Sequence, residues 1–283
     1  MAATPGMTRR SVVSILAGLG LADEGVAQVS ASWHPGLQLY TVRDLLSADL
    51  NGTLKRVAEI GYREIELPGF GDATAHVFEE RSKHYKLTVP SIHASYDRLR
   101  GGLEAVLEEA RALGAAFLVC PWIDRDDRRT ADDWKGVCQT LNKMGKAVRS
   151  HGLTLAYHNH DFEFVPFAAG AAPFDLMMRE TDPGDVKVEL DVYWAAKAGV
   201  DPVRCLKENE GRILLVHLKD MAADGSITEV GAGVLAVERI VRTALSVGVK
   251  HLFVEQDDPA DPLRSIGTSL RFLKGLPPDV RPG

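Results

Sequence analysis

The sequence contains only three cysteines in 283 residues, and none of them forms a Cys-x-x-Cys motif. A disulfide framework is therefore excluded, and no thiol redox centre is indicated. Basic residues are not in excess either, because 33 Lys and Arg stand against 39 Asp and Glu, for a formal net charge of −6. Binding to a nucleic-acid backbone depends on clustered Lys and Arg, so the composition argues against a nucleic-acid partner.

The apolar run at the N-terminus is too short to cross a bilayer, which takes about 20 residues. The stretch Val12–Ala22 is uncharged, has 11 residues and follows Arg9 and Arg10. A charged segment followed by a short apolar one is typical of an export signal. The paired arginines resemble a twin-arginine signal, which would engage the twin-arginine export machinery. The alternative is a short apolar N-terminal helix with two chance arginines.

Small residues mark two candidate cleavage positions, after Ala27 and after Ala31. We therefore predict an export signal and short leader at 1–31, a periplasmic location and no stable membrane anchor. The mature domain, 32–283, keeps the whole charge of −6, because the two basic and two acidic residues of the leader cancel.

The mature sequence has no Pro- or Ser-rich linker and consists of short apolar runs that alternate with longer segments of helical period. This alternation is typical of parallel strands that are buried on both faces and connected by helices. The eight predicted strands are Leu37–Thr41, Glu64–Leu67, Thr88–His93, Phe117–Pro121, Leu153–His158, Val186–Asp191, Ile213–His217 and Leu252–Glu255.

Eight such units in about 250 residues predict one α/β domain, a closed (β/α)8 TIM barrel. The alternative is an open doubly wound sheet, which would carry a glycine-rich phosphate turn after an early strand. The stretch from Pro68 to Asp72 contains two glycines, but it is too short and wrongly spaced for that turn.

Four successive predicted strands end on a side chain that can bind a metal: His158, Asp191, His217 and Glu255. In such a barrel the active site forms at the carboxyl ends of the strands. A single polar strand end is commonly a cap or a salt-bridge partner, but four in succession favour a shared site. Imidazole and carboxylate donors together suit Mn²⁺, Co²⁺, Zn²⁺ or Mg²⁺.

The mature chain resembles the xylose-isomerase-like TIM-barrel superfamily, which includes sugar epimerases, inosose dehydratases, hydroxypyruvate-isomerase-like enzymes and endonuclease IV. The segments that carry the resemblance are Tyr157–Glu163, Glu189–Trp194, His217–Asp220, Gly231–Gly233 and Val254–Glu255. Endonuclease IV is excluded, because it binds three metals with more His and acidic ligands and binds DNA. This chain has one set of candidate ligands and a net negative charge.

The resemblance implies one divalent ion, with Mn²⁺ expected, held by His158, Asp191, His217 and Glu255. His158 stands where many members have glutamate, so one of the two glutamates that epimerases use as an acid/base pair is missing. Glu163 in the next loop is one candidate for the missing carboxylate. Whether His158, His160 or Glu163 completes the metal site stays open at this point.

The same residues predict a reaction that starts with proton abstraction beside a carbonyl. Glu255 is the first candidate for the base, while His158, His160 or Glu163 would return or relay a proton. Lys219, two residues beyond His217, would stabilise an oxyanion or else pair with Asp220 in solvent. Reprotonation would give an isomerase or epimerase, which we expect, and expulsion of a leaving group would give a lyase or dehydratase.

Export favours an unphosphorylated sugar, inositol or keto-glycoside as substrate. The candidate substrate contacts lie at corresponding strand ends and beside the metal ligands: Gln38, Tyr40, Glu66, His93, Trp122, His160, Tyr193 and Trp194. A noncatalytic carbohydrate-binding barrel is the alternative of another class. The sequence gives no indication of the oligomeric state.

Overall fold

Eight parallel strands close into a barrel in a computed structural model, which describes residues 33–71, 73–168 and 170–281. The predicted single-domain (β/α)8 barrel is confirmed, whereas the predicted leader at 1–31 lies outside the described residues. The barrel strands are β1 Pro35–Gln38, β2 Glu64–Leu67, β3 Thr88–His93, β4 Phe117–Cys120, β5 Thr154–His158, β6 Val186–Asp191, β7 Ile213–Leu218 and β8 His251–Val254.

Each strand pairs with its neighbours in chain order, and β8 closes the barrel against β1 with Val254 opposite Leu37. Asp191 lies opposite His217 across the pair β6 and β7, while His158 of β5 lies opposite Glu189. The register therefore brings the polar ends of β5, β6 and β7 to one end of the barrel. A short antiparallel hairpin, Asp220–Met221 with Ile227–Thr228, follows β7 at the same end.

Helices surround the barrel, and all of them except the first bury side chains. They are α1 Arg43–Ala48, α2 Leu50–Ile60, α3 Ala75–His84, α4 Tyr96–Gly101, α5 Leu103–Leu113, α6 Ala131–Ser150, α7 Pro173–Glu180, α8 Val192–Lys197, α9 Pro202–Glu208, α10 Val237–Ser246 and α11 Pro262–Lys274. None of the helices in the described part of the chain has the length and apolarity needed to cross a membrane.

The longest helix, α6, shows why these segments are helical. It starts with a capping box, in which the Thr130 side chain accepts from the Asp133 amide and the Asp133 carboxylate accepts from the Thr130 amide. Trp134 and Cys138 lie on its buried face at helical spacing, and the Trp134 indole donates to the Pro173 carbonyl at 2.6 Å. The cap fixes the start of the helix, and the buried face fixes its orientation.

The first strand differs from the prediction at its C-terminal end. The predicted strand Leu37–Thr41 is wrong there, because β1 ends at Gln38 and a 3₁₀ helix spans Leu39–Val42. The Gln38 side chain accepts from the Tyr40 amide at 3.1 Å, and this local hydrogen bond replaces strand pairing. Tyr40 is consequently at the barrel rim, where 42% of its surface is exposed.

Candidate active site

A cavity of about 380 Å³ opens at the carboxyl end of the barrel. Its lining includes eight of the residues predicted from the sequence: Gln38, Tyr40, His93, Trp122, His158, His160, Lys219 and Glu255. Asp257 and Asp258, which follow β8, also line it. The position agrees with that of active sites in this fold.

An upper cluster, formed by His158, Asp191, Lys219 and Glu255, lies beside this cavity. The Lys219 ammonium is 3.1 Å from Asp191 Oδ2, 2.8 Å from Glu255 Oε2 and 2.7 Å from Asp257 Oδ1. Burial lowers the pKa of Lys219, but the surrounding carboxylates outweigh burial and raise that pKa well above its usual value. Lys219 is therefore positively charged in the resting site, and the predicted pairing with Asp220 in solvent is not formed.

A deep cluster, formed by Glu66, His93, Glu189 and His217, lies between β2, β3, β6 and β7. Both imidazoles approach both carboxylates: His217 Nε2 is 2.6 Å from Glu66 Oε2 and 3.1 Å from Glu189 Oε2. His93 Nε2 lies 3.2 Å and 3.0 Å from the same two oxygens. Burial opposes protonation of His93, but the two carboxylates prevail and raise its pKa to about 9.

His217 joins the two clusters through its two ring nitrogens. Its Nε2 faces the deep carboxylates, while its Nδ1 lies 2.8 Å from Glu255 Oε2. His158 makes a second connection, because its Nδ1 lies 3.1 Å from Glu189 Oε2. A change in the upper cluster will therefore affect the deep cluster, and the reverse also holds.

The donor atoms of both clusters fit a divalent ion. Two sets of atoms converge, one from the whole deep cluster and one from His158, Asp191 and His217. Within the described residues, Glu66 Oε1 and Glu189 Oε1 are buried without a hydrogen-bond partner. Buried carboxylate oxygens that lack a donor carry a large desolvation cost, which a cation would offset.

Glu255, the predicted fourth ligand, belongs to neither set of converging atoms. It is held instead by His217 and Lys219, which lower the pKa of its carboxyl group against the effect of burial. Asp191 Oδ2 has no aligned hydrogen-bond donor among the described residues, although the Lys219 ammonium is close by. The upper cluster thus already contains one positive charge between its two carboxylates.

Glu163 is fully buried and is not one of the residues that line the cavity. It accepts from the Tyr157 hydroxyl at 2.5 Å and from the His160 amide at 2.7 Å. Burial raises the pKa of Glu163 to about 7, although these hydrogen bonds oppose the shift. In this position Glu163 fixes the loop that carries His160.

The remaining predicted substrate contacts divide between the cavity mouth and its wall. Trp122, with 42% of its surface exposed, stands at the mouth with its ring 4.9 Å from that of His160. His160 Nδ1 is buried without a partner in the described chain, and burial lowers the pKa of His160 to about 3. Trp194 packs 5.4 Å from His160, whereas the Tyr193 hydroxyl donates to the Gly225 carbonyl.

Sequence reasoning assigned no role to Glu189 and Asp257. Glu189 precedes Asp191 by two positions in β6, so both side chains point to the same face of the strand. That alternation was a usable signal for Glu189. Asp257 lies beyond β8 in a loop, and only the fold brings it to Lys219.

Comparison with known proteins assigns the family. Residues 54–276 match the model of the xylose isomerase-like TIM barrel. The chain belongs to this family. A sugar phosphate isomerase/epimerase from Parabacteroides distasonis superposes with a TM-score of 0.78 at 25% identity, over 89% of this chain and all of that one.

Two further similarities cover less of the chains or have lower identity. An inosose dehydratase of Mesomycoplasma hyopneumoniae is 26% identical over 186 residues, which are 59% of this chain and 61% of the relative. The match therefore spans less than two thirds of that relative. The IolI protein with a bound zinc atom shares the fold at 14% identity, with a TM-score of 0.67 over 86% of this chain and 97% of that one.

Proposed function

We propose that this barrel is a divalent-metal-dependent lyase that dehydrates a keto-sugar or an inosose-like cyclic ketone. The observation that carries the proposal is the pairing of a neutral imidazole, His158, with a buried ammonium, Lys219, in the lining of one cavity. Removal of water beside a carbonyl needs both a base and an acid in one site. The similarity to an inosose dehydratase supports this reaction class.

His158 is suited to take the proton next to the carbonyl. Burial and the charge of His217 lower the pKa of His158 well below its usual value, so the ring is neutral. The Glu189 carboxylate at 3.1 Å from Nδ1 selects the tautomer with hydrogen on Nδ1 and leaves the Nε2 lone pair free. Glu255 is the weaker candidate because its Oε2 is already in contact with His217 Nδ1 and the Lys219 ammonium.

Lys219 is suited to protonate the departing hydroxyl group. Its ammonium has three donors and is held by Asp191, Glu255 and Asp257, so it is fixed in position when substrate binds. In the overall step a C–H bond and a C–O bond break, a C=C bond forms, and one molecule of water leaves. A divalent ion held by the deep cluster, the donor set that does not use His158, would polarise the substrate carbonyl and make the adjacent C–H more acidic.

The substrate class follows from the charges around the cavity and from the leader. Glu255, Asp257 and Asp258 line the cavity together with the single ammonium of Lys219. These carboxylates would repel a phosphate dianion, which favours an unphosphorylated substrate. We also propose export through the twin-arginine route, because Arg9 and Arg10 precede the apolar stretch Val12–Ala22.

Isomerisation or epimerisation is the second candidate, since the same proton abstraction precedes it. Its specific support is the similarity to the Parabacteroides distasonis sugar phosphate isomerase/epimerase. The two reactions differ only in the fate of the intermediate: a lyase expels a neighbouring group, whereas an isomerase returns a proton to carbon.

The test incubates the metal-loaded protein with inososes, keto-glycosides and free sugars in D₂O and follows each by NMR. A lyase gives an unsaturated product with loss of water, whereas an isomerase gives deuterium on carbon without such loss. Lys219→Met should lower the rate at least about 100-fold, and Lys187→Met, at the opposite end of β6, should not. If the metal-loaded protein neither exchanges deuterium nor releases water with any member, a noncatalytic carbohydrate-binding barrel is the better description.

A further inference from the structure

The deep cluster has the donor atoms and spacing of a metal site. We propose that Glu66, His93, Glu189 and His217 bind the divalent ion, and that Lys219 occupies the place of a cation in the upper cluster. This inference deepens the proposed function and rests on it, because the proposed reaction requires a divalent metal. It moves the ion from the ends of β5 to β8 to a position between β2, β3, β6 and β7.

The geometry of the deep cluster is the first argument. Ligand atoms of a tetrahedral ion at about 2.0 to 2.2 Å from the metal lie about 3.3 to 3.6 Å from one another. The four distances between imidazole nitrogens and carboxylate oxygens in the deep cluster run from 2.6 to 3.2 Å. Outward shifts of less than about 1 Å would open this arrangement to the size that an ion needs.

The spare acceptor atoms are the second argument. Glu66 and Glu189 are both fully buried, and each keeps one oxygen, Oε1, without a hydrogen-bond partner in the described chain. The available donors, including the Gln38 amide and His158 Nδ1, converge on the other oxygen of each carboxylate. A divalent ion can bind carboxylates through one or both oxygens, so it would use acceptors that protein donors leave idle.

The charges around each cluster are the third argument. Glu66 and Glu189 form ion pairs only with histidines among the described residues, and an imidazole becomes a metal ligand by giving up its proton. In the upper cluster, Lys219 separates Asp191 from Glu255, and its ammonium has no lone pair to offer. A divalent ion placed there would face a buried like charge at close range.

The upper set also offers fewer ligands. It has three side chains, and one of them, His217, is shared with the deep cluster, which supplies four. Occupation of the deep cluster leaves His158, Lys219 and Glu255 free to contact substrate. It also places the ion directly below the cavity that these residues line, with His93 common to the cluster and the cavity lining.

The experiment locates the ion in crystals of the full-length protein grown with Mn²⁺ or Zn²⁺, using anomalous scattering. The expected result is one peak within about 2.3 Å of the imidazole nitrogens and carboxylate oxygens of the deep cluster. In solution, Glu189→Gln should weaken Mn²⁺ binding at least about 100-fold by isothermal titration, while Asp191→Asn should change it less than about 10-fold. Circular dichroism checks that each variant is folded.

A peak between His158 and Asp191, or loss of binding in Asp191→Asn alone, would overturn the inference. The wild-type crystal decides the question even if a variant fails to fold. Turnover with the ion in the upper cluster would refute this inference and leave the proposed function standing. An ion in the deep cluster without turnover on any substrate would support this inference and refute the proposed function. A metal-free protein would refute both.

Discussion

Neutralising Glu163 should remove a specific part of the pH dependence of stability. Glu163 is fully buried, and burial raises its pKa from the ordinary 4.5 to about 7. A raised pKa means that the folded state favours the protonated acid. Its contribution is therefore fully present below about pH 4.5 and is lost as the pH rises through about 7.

The size of the effect follows from the shift. A difference of about 2.5 pKa units corresponds to about 3 kcal/mol, at 1.36 kcal/mol for each unit. Glu163→Gln should avoid this loss, because glutamine reproduces the shape and zero charge of the protonated acid. One oxygen remains to accept a hydrogen bond from Tyr157 or from the His160 amide, as in the protonated acid.

The assay is urea unfolding of both proteins at about pH 5 and about pH 8, where the shift predicts most of the change. The free energy of unfolding of the wild type should fall by about 2.5 kcal/mol more than that of Glu163→Gln over this interval, because all other titrating groups cancel in the comparison. Asp161→Asn, a neutralisation at a half-buried residue of the same loop, serves as the control for the removal of a carboxylate there. Equal pH dependence in wild type and Glu163→Gln would refute the reasoning.

Three further predictions concern packing, charge and export. Gly145→Ala should destabilise the protein by about 1 to 3 kcal/mol in thermal unfolding, because its Cβ would lie 2.2 Å from the Asp185 carbonyl oxygen. Gly136→Ala in the same helix meets nothing within 4 Å and should stabilise it by about 0.5 to 1 kcal/mol; a loss there as large as that of Gly145→Ala would contradict the packing argument. Lys219→Met should cost about 3 to 5 kcal/mol in urea unfolding, since it removes the ammonium that lies between the buried carboxylates of Asp191 and Glu255, and an unchanged midpoint would count against that role. Replacing Arg9 and Arg10 together by Lys should keep the protein in the cytoplasm on cell fractionation, and a processed periplasmic product would argue against the twin-arginine route.

The fold followed from local patterns in the sequence. Short apolar runs at regular spacing predicted all eight barrel strands, and β2, β3 and β6 begin and end where expected. The bounds of β4, β5, β7 and β8 differ from the prediction by one residue. The largest error was at β1, where the Gln38 side chain accepts from the Tyr40 amide and the chain turns before the apolar run ends. Hydrophobic periodicity does not predict a competing side-chain hydrogen bond of this kind.

The candidate site was predictable where its residues end strands and unpredictable where contacts cross the barrel. His158 and Lys219 were recognised from their position in the chain, and both line the cavity. Glu66 and His93 were recognised as polar strand ends, but their contact with Glu189 and His217 depends on pairs up to 151 residues apart in sequence. Periodicity gives the face of a strand and not its partner across the barrel.

The sequence by itself determined the parallel barrel, because burial of every strand on both faces requires continuous apolar runs and helical connections. It also determined which end of the barrel is polar. Only the tertiary structure decided the charge distribution there, since pairing of β7 with β6 and β8 brings Lys219 to Asp191 and Glu255. Electrostatic interactions depend on distance and burial in space, and neither is encoded in the spacing of residues along the chain.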